Sequence, residues 1–170
     1  MQLRLLITRI LKSRKMIIEN EILLEDDPEG GNGGKEITWN VTKVNVPAVW
    51  ALGYTGAGIK VGVLDTGVNY NHVDLADHMW NDPSYPNHGY DFANNDNNPM
   101  DDNGHGTHCA GTVAGDGTAG SQTGMAPDAT IIALKVLDAT GNGNESNVWA
   151  AIQFIVDNDG DIISMSLGWQ

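Results

Sequence analysis

The stretch Gly56-Ala-Gly-Ile-Lys-Val-Gly-Val-Leu-Asp65-Thr-Gly67 decides the fold. Ile59, Val61 and Val63 alternate with Lys60 and Gly62, and Leu64 precedes a carboxylate. A short apolar run opened by a glycine turn predicts a buried strand over 58–65 that delivers Asp65 to its C-terminal end. Open parallel sheets place their chemistry at such strand ends.

Working outward, Thr130-Ile-Ile-Ala-Leu-Lys-Val-Leu137 reads as a second strand and Gly141-Asn-Gly-Asn144 as a turn. From Ser146, a good cap, Val148, Trp149, Ile152, Phe154, Ile155 and Val156 predict a largely buried helix, stopped by Asn158-Asp-Gly160. A further strand follows at 161–167. Upstream, Asn45 and Pro47 supply the cap and first-turn proline of a short helix ending near Gly53. The small residues of His105 to Ala114 suit a tightly packed helix. The interval 68–101, rich in Asn, Asp, Pro and His, reads as surface loop with one or two short strands; a loop that long is functional or metal-stabilised. Strands alternating with helices give an α/β class built on a parallel sheet. The last strand has no crossover after it, so the sheet is expected to be cut open there.

The chain has 170 residues, enough for one domain with a real core. Residues 26–34, with three acids, a proline and four glycines, read as a linker. The expected division is a basic N-terminal segment and linker over 1–35 and a partial domain over 36–170. Leu3, Leu5, Leu6, Ile7, Ile10 and Leu11 fit a basic amphipathic helix, the end of a propeptide and non-native sequence equally. Arg4, Arg9, Lys12, Arg14 and Lys15 precede the first acid, Glu19, while the whole chain is at −13; residues 19–170 therefore carry −18. That body argues against nucleic acid or an anionic membrane as partner. No apolar run approaches the ~20 residues of a membrane span. Arg4 and Arg9 break the run that a signal peptide needs. One cysteine, Cys109, excludes an internal disulfide framework.

Further along comes Asp101-Asp-Asn-Gly-His105-Gly-Thr-His-Cys-Ala-Gly111, whose His105 lies 40 residues after Asp65. An aspartate before Thr-Gly can simply accept turn hydrogen bonds, and a glycine-flanked histidine can be structural. Taken together, a buried carboxylate orients an imidazole, and the imidazole, near-neutral in pKa, takes a proton from a hydroxyl. His105, His108 and Cys109, with Asp101 or Asp102, are the alternative reading as zinc ligands, though no Glu stands between the histidines as in His-Glu-x-x-His. Cys109 as a thiol partner of His105 on one helix is awkward geometry, and a small buried residue is the simpler reading.

The two blocks resemble the aspartate and histidine blocks of the subtilisin-like serine peptidases (subtilases). The resemblance implies a three-layer α/β/α fold with a mostly parallel sheet, truncated after the strand at 161–167. It implies Asp65 and His105 as two members of an Asp-His-Ser triad, with His108 a satisfied structural histidine. It implies a polypeptide substrate lying between Ser166, Leu167 and Gly168 on one side and Gly141 and Gly143 on the other, paired as an added strand. Ser164 stands where the family commonly has Asn, and Trp169 where it has a small residue. Structural calcium is the implied cofactor. A first site would use Asp74 and the loop residues Asp116, Thr118, Gly120 and Gln122, with Thr118 where an Asn is expected. Asp91, Asp96 and Asp101 form a second candidate, whose alternative is a solvated acidic loop. The oxyanion asparagine and the Gly-Thr-Ser-Met-Ala block are not in these 170 residues. The expectation is a serine endopeptidase, extracellular by resemblance, represented by a fragment inactive alone, with a propeptide or the missing C-terminal half as partner. The competing class is an inactive peptide-binding or decayed domain.

Overall fold

The computed structural model describes residues 37–118 and 123–168. The basic segment, Gly120, Gln122 and Trp169 lie outside the described residues. Four strands, β1 (Lys60–Asp65), β2 (Gly89–Asp91), β3 (Thr130–Lys135) and β4 (Ile162–Met165), form a parallel sheet in the order β2-β3-β1-β4. Lys60 pairs with Thr130 and Asp65 with Lys135, so the two central strands end level with each other. The helices are α1 (Trp39–Lys43), α2 (Val46–Trp50), α3 (His105–Ala114) and α4 (Glu145–Asp157).

The period-2 alternation of β1 and β3 sorts the core into two layers. Val61, Val63, Ile131 and Ala133 pack with Ala110 and Ala114 of α3 on one face. Leu64, Ile132 and Leu134 pack with Val148, Ala151, Phe154 and Ile155 of α4 on the other. Gly62 faces α4, where a Cβ would lie 2.2 Å from Ile155 Cδ1, so the glycine lets the helix settle on the sheet. This is the α/β/α architecture expected.

Several local expectations differ from the structure. α4 begins at Glu145 after an Asn144 cap position, not at Ser146. Trp149 is half exposed, because 149 falls on the outer side of the helix, where its indole N–H donates to Glu145 Oε1 at 3.0 Å. The interval 68–101 is more than surface loop. It contributes buried Leu75, Met79 and Trp80 to the core and β2 to the sheet edge. Trp80, Tyr85, Tyr90 and Phe92 ring Phe154 at centroid distances of 4.7 to 6.5 Å. Aromatic pairs at this spacing add to the area they bury.

Candidate active site

β1 ends on Asp65, which is fully buried, and α3 begins on His105, whose side chain is 46% exposed. His105 Nδ1 lies 2.7 Å from Asp65 Oδ1. A carboxylate only accepts, so Nδ1 carries the proton and Nε2 is the basic nitrogen. Asp65 Oδ1 also accepts the Thr66 N–H at 2.7 Å, while Oδ2 is buried with no hydrogen-bond partner among the described residues.

Asp101 fastens the helix start to the strand end. Asp101 Oδ1 accepts from the Thr66 hydroxyl at 2.9 Å and from the N–H groups of Asn103 and Gly104 at 3.0 and 2.9 Å. Its Oδ2 accepts from Thr107 N–H at 2.9 Å and the Thr107 hydroxyl at 2.5 Å. Burial alone would push this carboxyl up, but the Thr107 hydroxyl and the three backbone donors outweigh it and hold it below the ordinary carboxylate range. The Thr66 hydroxyl in turn accepts the Gly106 N–H at 3.0 Å. Gly104 takes a left-handed φ of +105°, and a Cβ on Gly106 would sit 2.0 Å from the Gly67 carbonyl oxygen. One glycine therefore serves the turn and the other the close approach.

Asp65, His105 and Cys109 are the one set of three carboxylate, imidazole or thiol donors that converge among the described residues, all within 4.8 Å. The thiol lies 3.9 Å from Nδ1 and 4.0 Å from Nε2. Nearly equal distances place the sulfur against the ring rather than in line with either nitrogen, so it is not set for proton exchange. Burial, and then the Asp65 charge, push the Cys109 thiol up to about 11, and it remains protonated at neutral pH. The zinc alternative that included His108 does not assemble: His108 is exposed, on the wall of a second cavity with Asp74 and Thr123, and is not the packed structural histidine expected.

A cleft of about 530 Å³ runs beside His105, with Ser166, Leu167 and Gly168 on one wall and Gly141 and Gly143 on the other. The second wall is a closed turn. Asp138 Oδ1 accepts from the Thr140 hydroxyl at 2.6 Å and the N–H groups of Thr140 and Asn142 at 2.8 and 3.1 Å, which together keep this carboxyl low. Asn103 links wall and histidine, its Oδ1 accepting the His105 N–H at 3.2 Å and its Nδ2 donating to the Ala139 carbonyl at 2.9 Å.

The candidate calcium residues are placed as follows. Asp74 is buried, and its carbonyl accepts the Asp116 N–H at 3.3 Å. The Asp116 carboxylate accepts from Thr118 N–H and hydroxyl at 2.8 and 2.7 Å and lies 3.4 Å from His78 Nε2. Burial raises this carboxyl, and the Thr118 and His78 contacts more than reverse that. Gly120 and Gln122 lie outside the described residues. Asp91 binds Asn94 through both oxygens, and the side-chain oxygens of Asp91, Asp96 and Asp101 do not converge. The roles of Thr66, Asn103, Thr107 and Lys135 went unread in the sequence. A lysine inside the apolar run 130–137 was the one signal of a buried, paired cation.

A family model described as Subtilase family, Peptidase_S8, matches residues 56–170. The chain is 47% identical over 128 residues to the minor extracellular protease Vpr of Bacillus subtilis, covering 70% of this chain and 15% of that protein. It is 40% identical over 129 residues to thermitase of Thermoactinomyces vulgaris, covering 74% and 43%. To subtilisin E of Bacillus subtilis it is 34% identical over 146 residues, covering 85% and 36%. The chain thus spans less than half the length of each of these relatives.

Proposed function

The chain belongs to the subtilase family, and on that premise we propose that Asp65 and His105 are the base arm of a serine endopeptidase. The observation that carries this is the 2.7 Å contact between Asp65 and His105 Nδ1 at the wall of the cleft. In that reading His105 Nε2 takes the proton of a serine hydroxyl as the oxygen attacks the peptide carbonyl. It then returns the proton to the leaving amine, and water hydrolyses the acyl-enzyme. Asp65 holds the tautomer and stabilises the imidazolium. The 170 residues hold the Asp and His members and no Gly-Thr-Ser block. The substrate is a polypeptide laid between 166–168 and 141–143, and the site of action is extracellular, as the name of the minor extracellular protease Vpr says of that relative.

The test is a chimera joining this chain to the serine-bearing C-terminal part of thermitase, assayed on a chromogenic peptide anilide. The chimera turns over, the chain alone does not, and His105→Ala lowers kcat by on the order of 10⁶. A folded chimera that binds peptide without turnover would support the competing reading, a peptide-binding domain.

Calcium belongs to the same proposal. The buried Asp74, whose carbonyl accepts the Asp116 N–H, supports it, with Asp116 turned toward Thr118 and His78 rather than free. Bound there, the ion would stabilise the loop against unfolding and take no part in the chemistry.

A further inference from the structure

We propose that Lys135 is a positioning residue for the Asp65–His105 pair, a buried ammonium that fastens the end of the aspartate strand to the loop presenting the histidine. The proposal rests on the base-arm reading of that pair. Lys135 ends β3, is 1% exposed, and is the largest fully buried side chain among the described residues. An interior ammonium must find acceptors. Nζ donates to the Thr66 carbonyl at 2.6 Å and to Asp102 Oδ1 at 2.6 Å.

Both partners belong to the segments that carry the site. Thr66 follows Asp65 directly, and Asp102 lies three residues before His105. Lys135 is also level with Asp65 in the β1–β3 register. Lys135 and Asp102 form a lysine–carboxylate ion pair, whereas Lys60 donates to the Asn158 carbonyl at 3.1 Å.

The Lys135 anchor does not duplicate the one through Asp101. Asp101 engages the Thr66 hydroxyl, whereas Lys135 engages the Thr66 carbonyl. Thr66 is thus held both at its hydroxyl and at its carbonyl. Removing the ammonium leaves the Thr66 carbonyl without this donor and Asp102 without its cation. The loop then swings outward and carries His105 off Asp65.

The experiment is proton NMR of the full 170-residue chain at low temperature. A proton on His105 Nδ1 held by a buried carboxylate resonates downfield of the amide envelope, and His105→Ala identifies it by its loss. Lys135→Met is expected to abolish this resonance while far-UV circular dichroism is retained. Asp102→Asn, altering a half-exposed side chain, is expected to abolish it too, and decides the matter if Lys135→Met does not fold. A resonance that persists unshifted in either folded variant overturns the positioning role and leaves the base-arm reading intact. A wild-type chain without the resonance overturns both.

Discussion

Replacing Asp101 by Asn tests whether one carboxylate holds the site together. The amide puts an NH₂ where one oxygen was. If it replaces Oδ2, the Thr107 N–H and hydroxyl lose their acceptor; if it replaces Oδ1, the Thr66 hydroxyl and two backbone N–H groups do. At least two hydrogen bonds to a charged acceptor are lost in either orientation. Each is worth about 1.5–3 kcal/mol, and a partly exposed site takes the lower end, so the variant is about 3 kcal/mol less stable. The pH dependence has a definite sign. The folded carboxyl is held below its ordinary value, so its contribution is complete above the unfolded pKa and is lost as pH falls through the folded one. Urea denaturation followed by tryptophan fluorescence should show a constant gap between wild type and variant from neutral pH to about pH 5, closing below about pH 4. A gap under about 1 kcal/mol at neutral pH, or one that does not close in acid, refutes the reasoning.

Gly106→Ala places a methyl 2.0 Å from the Gly67 oxygen and 3.0 Å from Asp65 Cβ, and is expected to cost about 1–3 kcal/mol or more and to detach His105, read from denaturation and the Nδ1 proton line. Cys109 carries roughly a hundredfold less thiolate at neutral pH than an ordinary thiol, so iodoacetamide alkylation should be correspondingly slow and rise with pH until about 11; a rate like that of a free thiol contradicts its half-buried placement beside the Asp65 charge. Saturating calcium, at about a hundredfold over its dissociation constant, should add about 2.7 kcal/mol against unfolding relative to chelator. Asp74→Asn should erase that difference, and a wild-type chain indifferent to calcium sinks the metal proposal. Phe154→Ala removes the hub of the aromatic ring packed over β3 and should cost about 3–5 kcal/mol by thermal or chemical melt.

Much of the fold was legible because β1, β3 and α4 bury themselves by local rules. Two-residue alternation sorts Val61 and Val63 from Leu64, and helical spacing places Val148, Ala151 and Ile155 on one side. β2 was not legible in detail, since Gly89-Tyr-Asp91 has no pattern of its own and becomes a strand through pairing with Ala133 to Lys135. Trp149 was misplaced because hydrophobicity outweighed phase; its position beside Glu145 decides its exposure. At the site, Asp65 and His105 announced themselves as motif residues. Asp101 read as one of several loop acids, because the hydroxyl that occupies it comes from Thr66, 35 residues earlier. Asp102 and Lys135 stayed hidden for the same reason, their pairing being a product of sheet register.

The bonds that hold Asp65 against His105 come from a closed stretch of chain. Thr66, Asp101, Asp102, Asn103, Thr107 and Lys135 supply them, and the outermost acceptor is the Ala139 carbonyl. The side chains that assemble the base arm thus come from the ends of β1 and β3 and from the start of α3 with the loop before it, while Ser166, Leu167 and Gly168, which follow β4, line the cleft. A site preorganised in this way pays its ordering entropy on folding, not when the nucleophile arrives. A serine-bearing segment therefore need only dock beside an existing base. It follows that fusing such a segment and supplying it in trans should differ mainly through effective concentration, not through the intrinsic reactivity of the assembled site. Activity in trans that saturates with added segment at the kcat of the fusion fits this order of assembly. A saturated complex far slower than the fusion would mean that His105 is not poised until the rest of the domain closes on it.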